Sequence, residues 1–298
     1  MEPTSGNEQV HLRVDGVTIA ARVAGSGPAV LLLHGYPETQ RMWSRVRADL
    51  LRDHTVVTTD LRGYGASDRP ADDADHETYG KRAMAADQVA VLDQLGIDCV
   101  DVVGHDRGGR VAHRLALDHA DRVRSVAVLD IVPTLHMFTN VDRAMAETYF
   151  HWFFLTRPSP LPESLIGADP RAWMRSRFDG RTAHGPVIDA ETFEHYLHSM
   201  TAPGGIAATC ADYRAAATVD LVHDRADRDA GRVITSPLLA LWGASSYVGR
   251  SFDVTEVWRE YAADVTGHAV DSDHYLAEEN PDATVAALRT FWARVRSA

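Results

Sequence analysis

Short runs that are apolar throughout alternate along the chain with longer stretches in which apolar residues recur every three or four positions. "VHLRVDGVTIAARVAG" begins this pattern with two alternating strands around Asp15-Gly16, a dipeptide that favours the tight turn of a hairpin. "AVLLLHG" (29–35), "TVVTTD" (55–60), "CVDVVGH" (99–105), "VRSVAVLD" (123–130), "PLLALWG" (237–243) and "DVTGHAV" (264–270) each read as a strand. Amphipathic periodicity over 42–52, 81–95, 108–119, 254–263 and 281–296 predicts helices between them. Apolar strands alternating with helices imply a sheet covered on both faces. The pattern therefore predicts an α/β fold with a mostly parallel, eight-stranded sheet.

The alternation breaks between Pro133 and Arg232, a stretch rich in Trp, His, Tyr and Pro that reads as helix. It is expected to be a helical cap (133–232) inserted into a core formed by 1–132 and 233–298. A separate C-terminal domain is the other option, but the strands after Pro237 are too few to form one. At 298 residues and 45% hydrophobic, the chain can bury a large core. The polar start "MEPTSGNEQ" does not resemble a signal peptide, and no apolar run is long enough to cross a bilayer. These features predict a cytoplasmic protein with no membrane partner. Cys99 and Cys210 then read as reduced thiols. The net charge of −12 argues against a nucleic-acid partner and requires local cations for any anionic ligand.

In sheets of this kind ligands sit at the C-terminal strand ends, where "HGYPE", "GHDRGGR", "LDIVPT" and "SDHYLAEE" fall. Gly104-His105-Asp106-Arg107-Gly108 has the spacing of a nucleophile elbow with Asp106 in place of serine. Alone, Asp106 would read as a helix N-cap. His274, far downstream after the last strand, supplies the base expected in chain order. Asp130 ends the neighbouring strand and is the candidate acid; Asp253 is its rival, although it looks like the cap of the helix starting at Val254. Backbone N–H groups of Tyr36 and Arg107 would form an oxyanion hole, although His34-Gly35 alone would be an ordinary turn. An ionised carboxylate needs no base to attack a saturated carbon, so an Asp at the elbow points to dehalogenation or epoxide opening. Arg107 and Arg110, one helical turn apart, suit a substrate carboxylate, but could equally be surface salt-bridging residues.

"HGYPE", "GHDRGGR", "VLDIVPT", "YFHWFFL", "PSPLPESLIG", "DYRAAA", "LALWGAS" and "SDHYLAEENPD" together resemble the haloacetate (fluoroacetate) dehalogenases of the α/β-hydrolase superfamily. The resemblance runs from about residue 10 to the C-terminus and includes the cap. It implies an α/β-hydrolase fold and a cofactor-free, metal-free homodimer converting a haloacetate to glycolate and halide. In that reading Asp106 is the nucleophile, His274 the base and Asp130 its partner. Arg107 and Arg110 hold the carboxylate, and His151, Trp152 and Tyr213 bind the halide. Without the resemblance, Trp152 and Tyr213 read as cap core and His151 has no role. The segment "RFDGRTAHGPV" is shorter than the family pattern and lacks a pocket Trp, which predicts a roomier pocket for chloro-, bromo- or longer haloacids. An epoxide hydrolase using Tyr149, Tyr196 or Tyr213 is the nearest alternative. A non-catalytic receptor for a small carboxylate is a remote one.

Overall fold

The computed structural model describes residues 9–297; most of the polar N-terminal segment discussed above lies outside them. The strands are β1 (Gln9–Val14), β2 (Val17–Gly25), β3 (Ala29–Leu33), β4 (Thr55–Thr59), β5 (Val100–His105), β6 (Val123–Leu129), β7 (Leu238–Gly243) and β8 (Val265–Val270). They form one sheet in the order β1-β2-β4-β3-β5-β6-β7-β8, with β2 antiparallel to both its neighbours and every other pairing parallel. At the β1–β2 turn Asp15 (φ 45°) and Gly16 (φ 87°) are both left-handed, as a two-residue hairpin requires.

The central strands are largely apolar along their length because both of their faces are covered. Leu31, Leu33, Val102, Val126 and Val128 point to one face, against Met84, Val91, Val111 and Leu115. Their neighbours Val30, Leu32, Val103, Ala127 and Leu129 point to the other, against Trp43, Val46, Leu288, Phe291 and Trp292. Apart from Trp43, which lies in the short 3₁₀ turn Gln40–Trp43, the covering residues are carried by α1 (Ser44–Leu50), α2 (Lys81–Leu95), α3 (Asp106–Asp118) and the C-terminal helix Pro281–Ser297. One predicted helix is shorter than its periodicity suggested, spanning Val254–Arg259. Past it the chain pairs with Ile234, whose N–H donates to the Tyr261 carbonyl and whose carbonyl accepts from Ala263, ending the helical bonding.

Between β6 and β7 the described chain is helical: α4 (Thr134–Thr139), α5 (Arg143–Thr148), α6 (Phe150–Phe154), α7 (Leu161–Ala168), α8 (Pro170–Phe178), α9 (Ala190–Thr201), α10 (Gly205–Ala217) and α11 (Val219–Asp229). Asp142, Asp169 and Asp189 cap α5, α8 and α9 by accepting backbone N–H bonds, each contributing about 1 kcal/mol. Buried side chains tie this segment to the loops at the C-terminal strand ends. Tyr64 donates to Asp212 at 2.6 Å, the Trp173 indole to the Tyr36 hydroxyl at 2.6 Å, and Tyr275 to the Arg177 carbonyl at 2.8 Å.

The start of α3 is pressed against the end of β3. A Cβ at Gly108 would lie 2.4 Å from the Leu33 carbonyl oxygen and 2.5 Å from that of His34, both backbone atoms that cannot rotate away. Gly108→Ala is therefore expected to lower stability by about 2–4 kcal/mol in urea unfolding, through overpacking rather than helix propensity.

Candidate active site

β5 runs directly into α3 at Asp106, whose φ of 44° places a non-glycine residue in the left-handed region. The adjacent loop comes close enough to touch it only because position 35 is glycine. A Cβ there would sit 2.8 Å from the Asp106 Cβ and 2.7 Å from His105 Nδ1. The approach brings the Tyr36 N–H to Asp106 Oδ2 at 3.0 Å. The carboxylate does not cap the helix; His105 holds that position and makes no side-chain cap bond. Asp106 is 7% exposed. Burial alone would raise its pKa, but its neighbours His274, His105, Arg110 and Arg107 outweigh that and hold it below the usual carboxylate value.

His274 follows β8 and is buried. Its Nδ1 donates to Asp130 Oδ2 at 2.6 Å, leaving Nε2 with a free lone pair. Asp130, itself at φ 52°, accepts the Gly243 N–H on Oδ1 at 3.1 Å. Burial, reinforced by Arg181, pulls the imidazole pKa below its ordinary value against the pull of Asp130, which keeps the ring neutral. Asp253, the rival acid, accepts the Glu256 N–H and caps its own helix.

Arg107 and Arg110 are 0% and 4% exposed, which excludes a surface role for either. Most of the Arg107 fork is occupied: Nε donates to Asp212 Oδ2 at 2.9 Å and Nη2 to Oδ1 at 2.5 Å. Among the described residues its Nη1 has no partner. Arg110 gives Nη1 to the Val132 carbonyl at 3.1 Å and the Thr134 hydroxyl at 2.9 Å, while its buried Nε has no partner among the described residues. Arg107 stacks on the Tyr213 ring at 4.3 Å and Arg110 on Trp152 at 4.6 Å. The His151 and Trp152 rings lie 5.8 and 6.2 Å from Tyr213. His151 Nδ1 and the Tyr213 hydroxyl are two further buried polar atoms without a partner.

Several residues that build the site carry no conspicuous sequence signal. Asp212 receives Arg107, the Tyr64 hydroxyl and the Lys81 ammonium. Burial opposes its charge, but Arg107 and Lys81 win and hold it well below the carboxylate range. It is the one acid in the alanine-rich helix "GIAATCADYRAAA", and that isolation could have singled it out. Glu38, the last residue of "HGYPE", is fully buried with Oε2 3.0 Å from His105 Nδ1. Burial pushes its pKa up to about 8. The other nitrogen of His105 donates to the His274 carbonyl at 2.8 Å, fixing the backbone of His274. His34 is fully used on backbone, donating to the Gly35 carbonyl and accepting from the Leu61 N–H. Cys99 and Cys210 are both free thiols.

Replacing Asp212 by asparagine leaves two buried cations facing a neutral amide. Asp212→Asn is expected to cost about 3–5 kcal/mol in chemical denaturation, far more than removal of an exposed pair such as Arg143–Glu147.

Residues 28–281 match the family model of the alpha/beta hydrolase fold. Among curated proteins, the chain is 43% identical to a fluoroacetate dehalogenase of Burkholderia sp over 98% of its length and 96% of that protein's. It is 31% identical to a soluble epoxide hydrolase of Corynebacterium sp. (strain C12) over 95% of its length and 96% of the relative's. The crystal structure of a putative alpha/beta hydrolase from Nostoc sp PCC 7120 superposes with a TM-score of 0.93 at 46% identity, covering 96% of this chain and 97% of that one. The chain belongs to the α/β-hydrolase fold family and, within it, to the haloacetate dehalogenases.

Proposed function

We propose that this protein hydrolyses the carbon–halogen bond of a small haloacid of the haloacetate class, with 133–232 acting as a cap over the catalytic face of the core. The observation that carries the reading is a set of buried donors without protein partners among the residues around Asp106: Arg107 Nη1, Arg110 Nε, His151 Nδ1 and the Tyr213 hydroxyl. Buried polar groups are rarely left unpaired, and each one costs stability. Two of these donors belong to guanidiniums suited to a carboxylate, and two belong to groups suited to a small hydrated anion.

The geometry supports the following chemistry. The haloacid carboxylate sits on the free faces of Arg107 and Arg110, so that Asp106 Oδ1 meets the halogen-bearing carbon. A carbon–oxygen bond forms as the carbon–halogen bond breaks, and the halide leaves with the electron pair toward His151, Trp152 and Tyr213. The product is an alkyl ester of Asp106. Neutral His274 takes a proton from water through Nε2, and the resulting hydroxide attacks the ester carbonyl carbon. The developing oxyanion is Oδ2, the atom that receives the Tyr36 N–H, with the Arg107 N–H as second donor. Asp130 stabilises the imidazolium, which returns its proton to the departing glycolate oxygen. One oxygen of the regenerated carboxylate has then come from water. Epoxide opening would need free acidic hydroxyls: Tyr196 is committed to Glu278 at 3.0 Å, whereas the Tyr213 hydroxyl is unpartnered among the described residues. What favours the haloacid is the buried Arg107–Arg110 pair, for which a neutral epoxide supplies no anion.

Halide release from chloroacetate and fluoroacetate, with no diol from styrene oxide, is the expected activity. Asp106→Asn removes it, and His274→Asn accumulates an adduct of about 58 Da on the Asp106 peptide, the mass of an esterified glycolate. Absence of that adduct in a chain that has released one halide would refute the two-step route. Because the His274 pKa lies below the ordinary histidine value, ester hydrolysis should persist as pH falls through about 6.5 and fail only at more acid pH. A single-turnover pH profile reads this directly.

A further inference from the structure

The segment that lacks the expected tryptophan brings two more arginines to the site. Arg177, near the end of α8, is 2% exposed, with its guanidinium 4.7 Å from the ring centres of both Phe150 and Trp173. Among the described residues its Nε and Nη2 reach only the hydroxyl of the adjacent Ser176, and its buried Nη1 has no partner. Arg181, four residues on, lies over the Tyr149 ring at 5.0 Å. Tyr149 in turn packs against His151 at 5.7 Å and Trp152 at 6.1 Å. Among the described residues neither guanidinium has an ion-pair partner, although most of the buried arginines of this chain do.

Both arginines are held in place by the loop that carries the base. The Tyr275 hydroxyl donates to the Arg177 carbonyl at 2.8 Å. Glu279 accepts the N–H of Ala183 at 2.7 Å with the same oxygen that accepts the N–H of Asp273 at 3.0 Å. Arg181 is thus suspended between two anchors that flank His274. Arg177 and Arg181 are the charges that act most strongly on His151, and each also acts on a group around Asp106, Arg177 on Tyr36 and Arg181 on Tyr149.

Arg181, past the end of α8, lies within the field of the Asp106 and Asp130 carboxylates. Arg177, four residues earlier and almost fully out of water, has no carboxylate within ion-pair reach among the described residues, and the two like charges are unfavourable unless a further anion joins them. The carboxylate of a haloacetate is already provided for by Arg107 and Arg110. A departing halide is a sphere with three other donors, whereas two planar forks match the two oxygens of a carboxylate. We infer that Arg177 and Arg181 form a second anion subsite on the helical side of the pocket that receives a second carboxylate of the substrate. The chain then prefers halogenated dicarboxylic acids of the chlorosuccinate class to haloacetates. This inference rests on the haloacid reading given above and narrows its substrate class.

Chloride release from chlorosuccinate and from chloroacetate, measured side by side, tests it. The wild-type protein should show the higher kcat/KM on the dicarboxylate, and Arg181→Gln should lower the ratio of the two kcat/KM values by about tenfold or more. Arg181→Lys should restore part of the ratio, because it keeps the charge and loses the fork. Arg181 is only partly buried, so its variants are expected to fold. A second readout does not depend on turnover: succinate should bind Asp106→Asn more tightly than acetate by calorimetry, and adding Arg181→Gln should abolish the difference. Turnover of chloroacetate but not chlorosuccinate, or a ratio unchanged in Arg181→Gln, overturns the subsite and leaves the haloacid reading standing. If Arg181→Gln weakens only product inhibition by chloride, the pair serves the halide and the inference falls. If no haloacid releases halide, the broader reading fails, and the succinate–acetate comparison still decides the subsite.

Discussion

A carboxylate taken out of water stays ionised only where its surroundings replace what the solvent supplied, and Asp106 imposes that requirement on everything near it. The Tyr36 N–H, His105 at the end of β5, His274 on the loop after β8 and the two arginines of α3 meet it together. None of them can do so unless backbones approach more closely than side chains ordinarily allow, which is why glycine occupies positions 35 and 108. The left-handed bends at Asp106 and Asp130 belong to the same solution. They turn two carboxylates out of adjacent parallel strands toward a common imidazole.

Cation placement follows a second rule, that a guanidinium must be held without being used up. Asp212 takes two edges of Arg107 and leaves the third, and Val132 with Thr134 takes one nitrogen of Arg110 and leaves the rest. Aromatic faces complete the support without consuming hydrogen bonds, Tyr213 under Arg107 and Trp152 under Arg110. The same rings stand against His151, so the groups assigned to the two ends of a haloacid share one wall.

The architecture was legible in the sequence because the sheet is covered on both faces. A run such as "AVLLL" has no reason to be apolar at every position unless Leu31 and Leu32 are buried on opposite sides. The elbow was legible because its glycines and its chain order with His274 follow from local geometry. Asp212, Glu38, Arg177 and Arg181 were not, since their importance depends on which partner they meet across the fold. An aspartate on an alanine-rich helix looks solvated until α10 is packed against Lys81 and Arg107. Helix length near Arg259 was misjudged for a related reason: periodicity cannot register a bridge to Ile234, distant in the chain.

The Lys81–Asp212–Arg107 cluster joins α10 to both α2 and α3 in a region closed to water. Swinging the helical layer outward on a hinge would strand an uncompensated charge on each side of the opening. Parting α10 from α2 and α3 is therefore opposed by the loss of both ion pairs at once, so this seam resists opening far more than an apolar contact of the same size would.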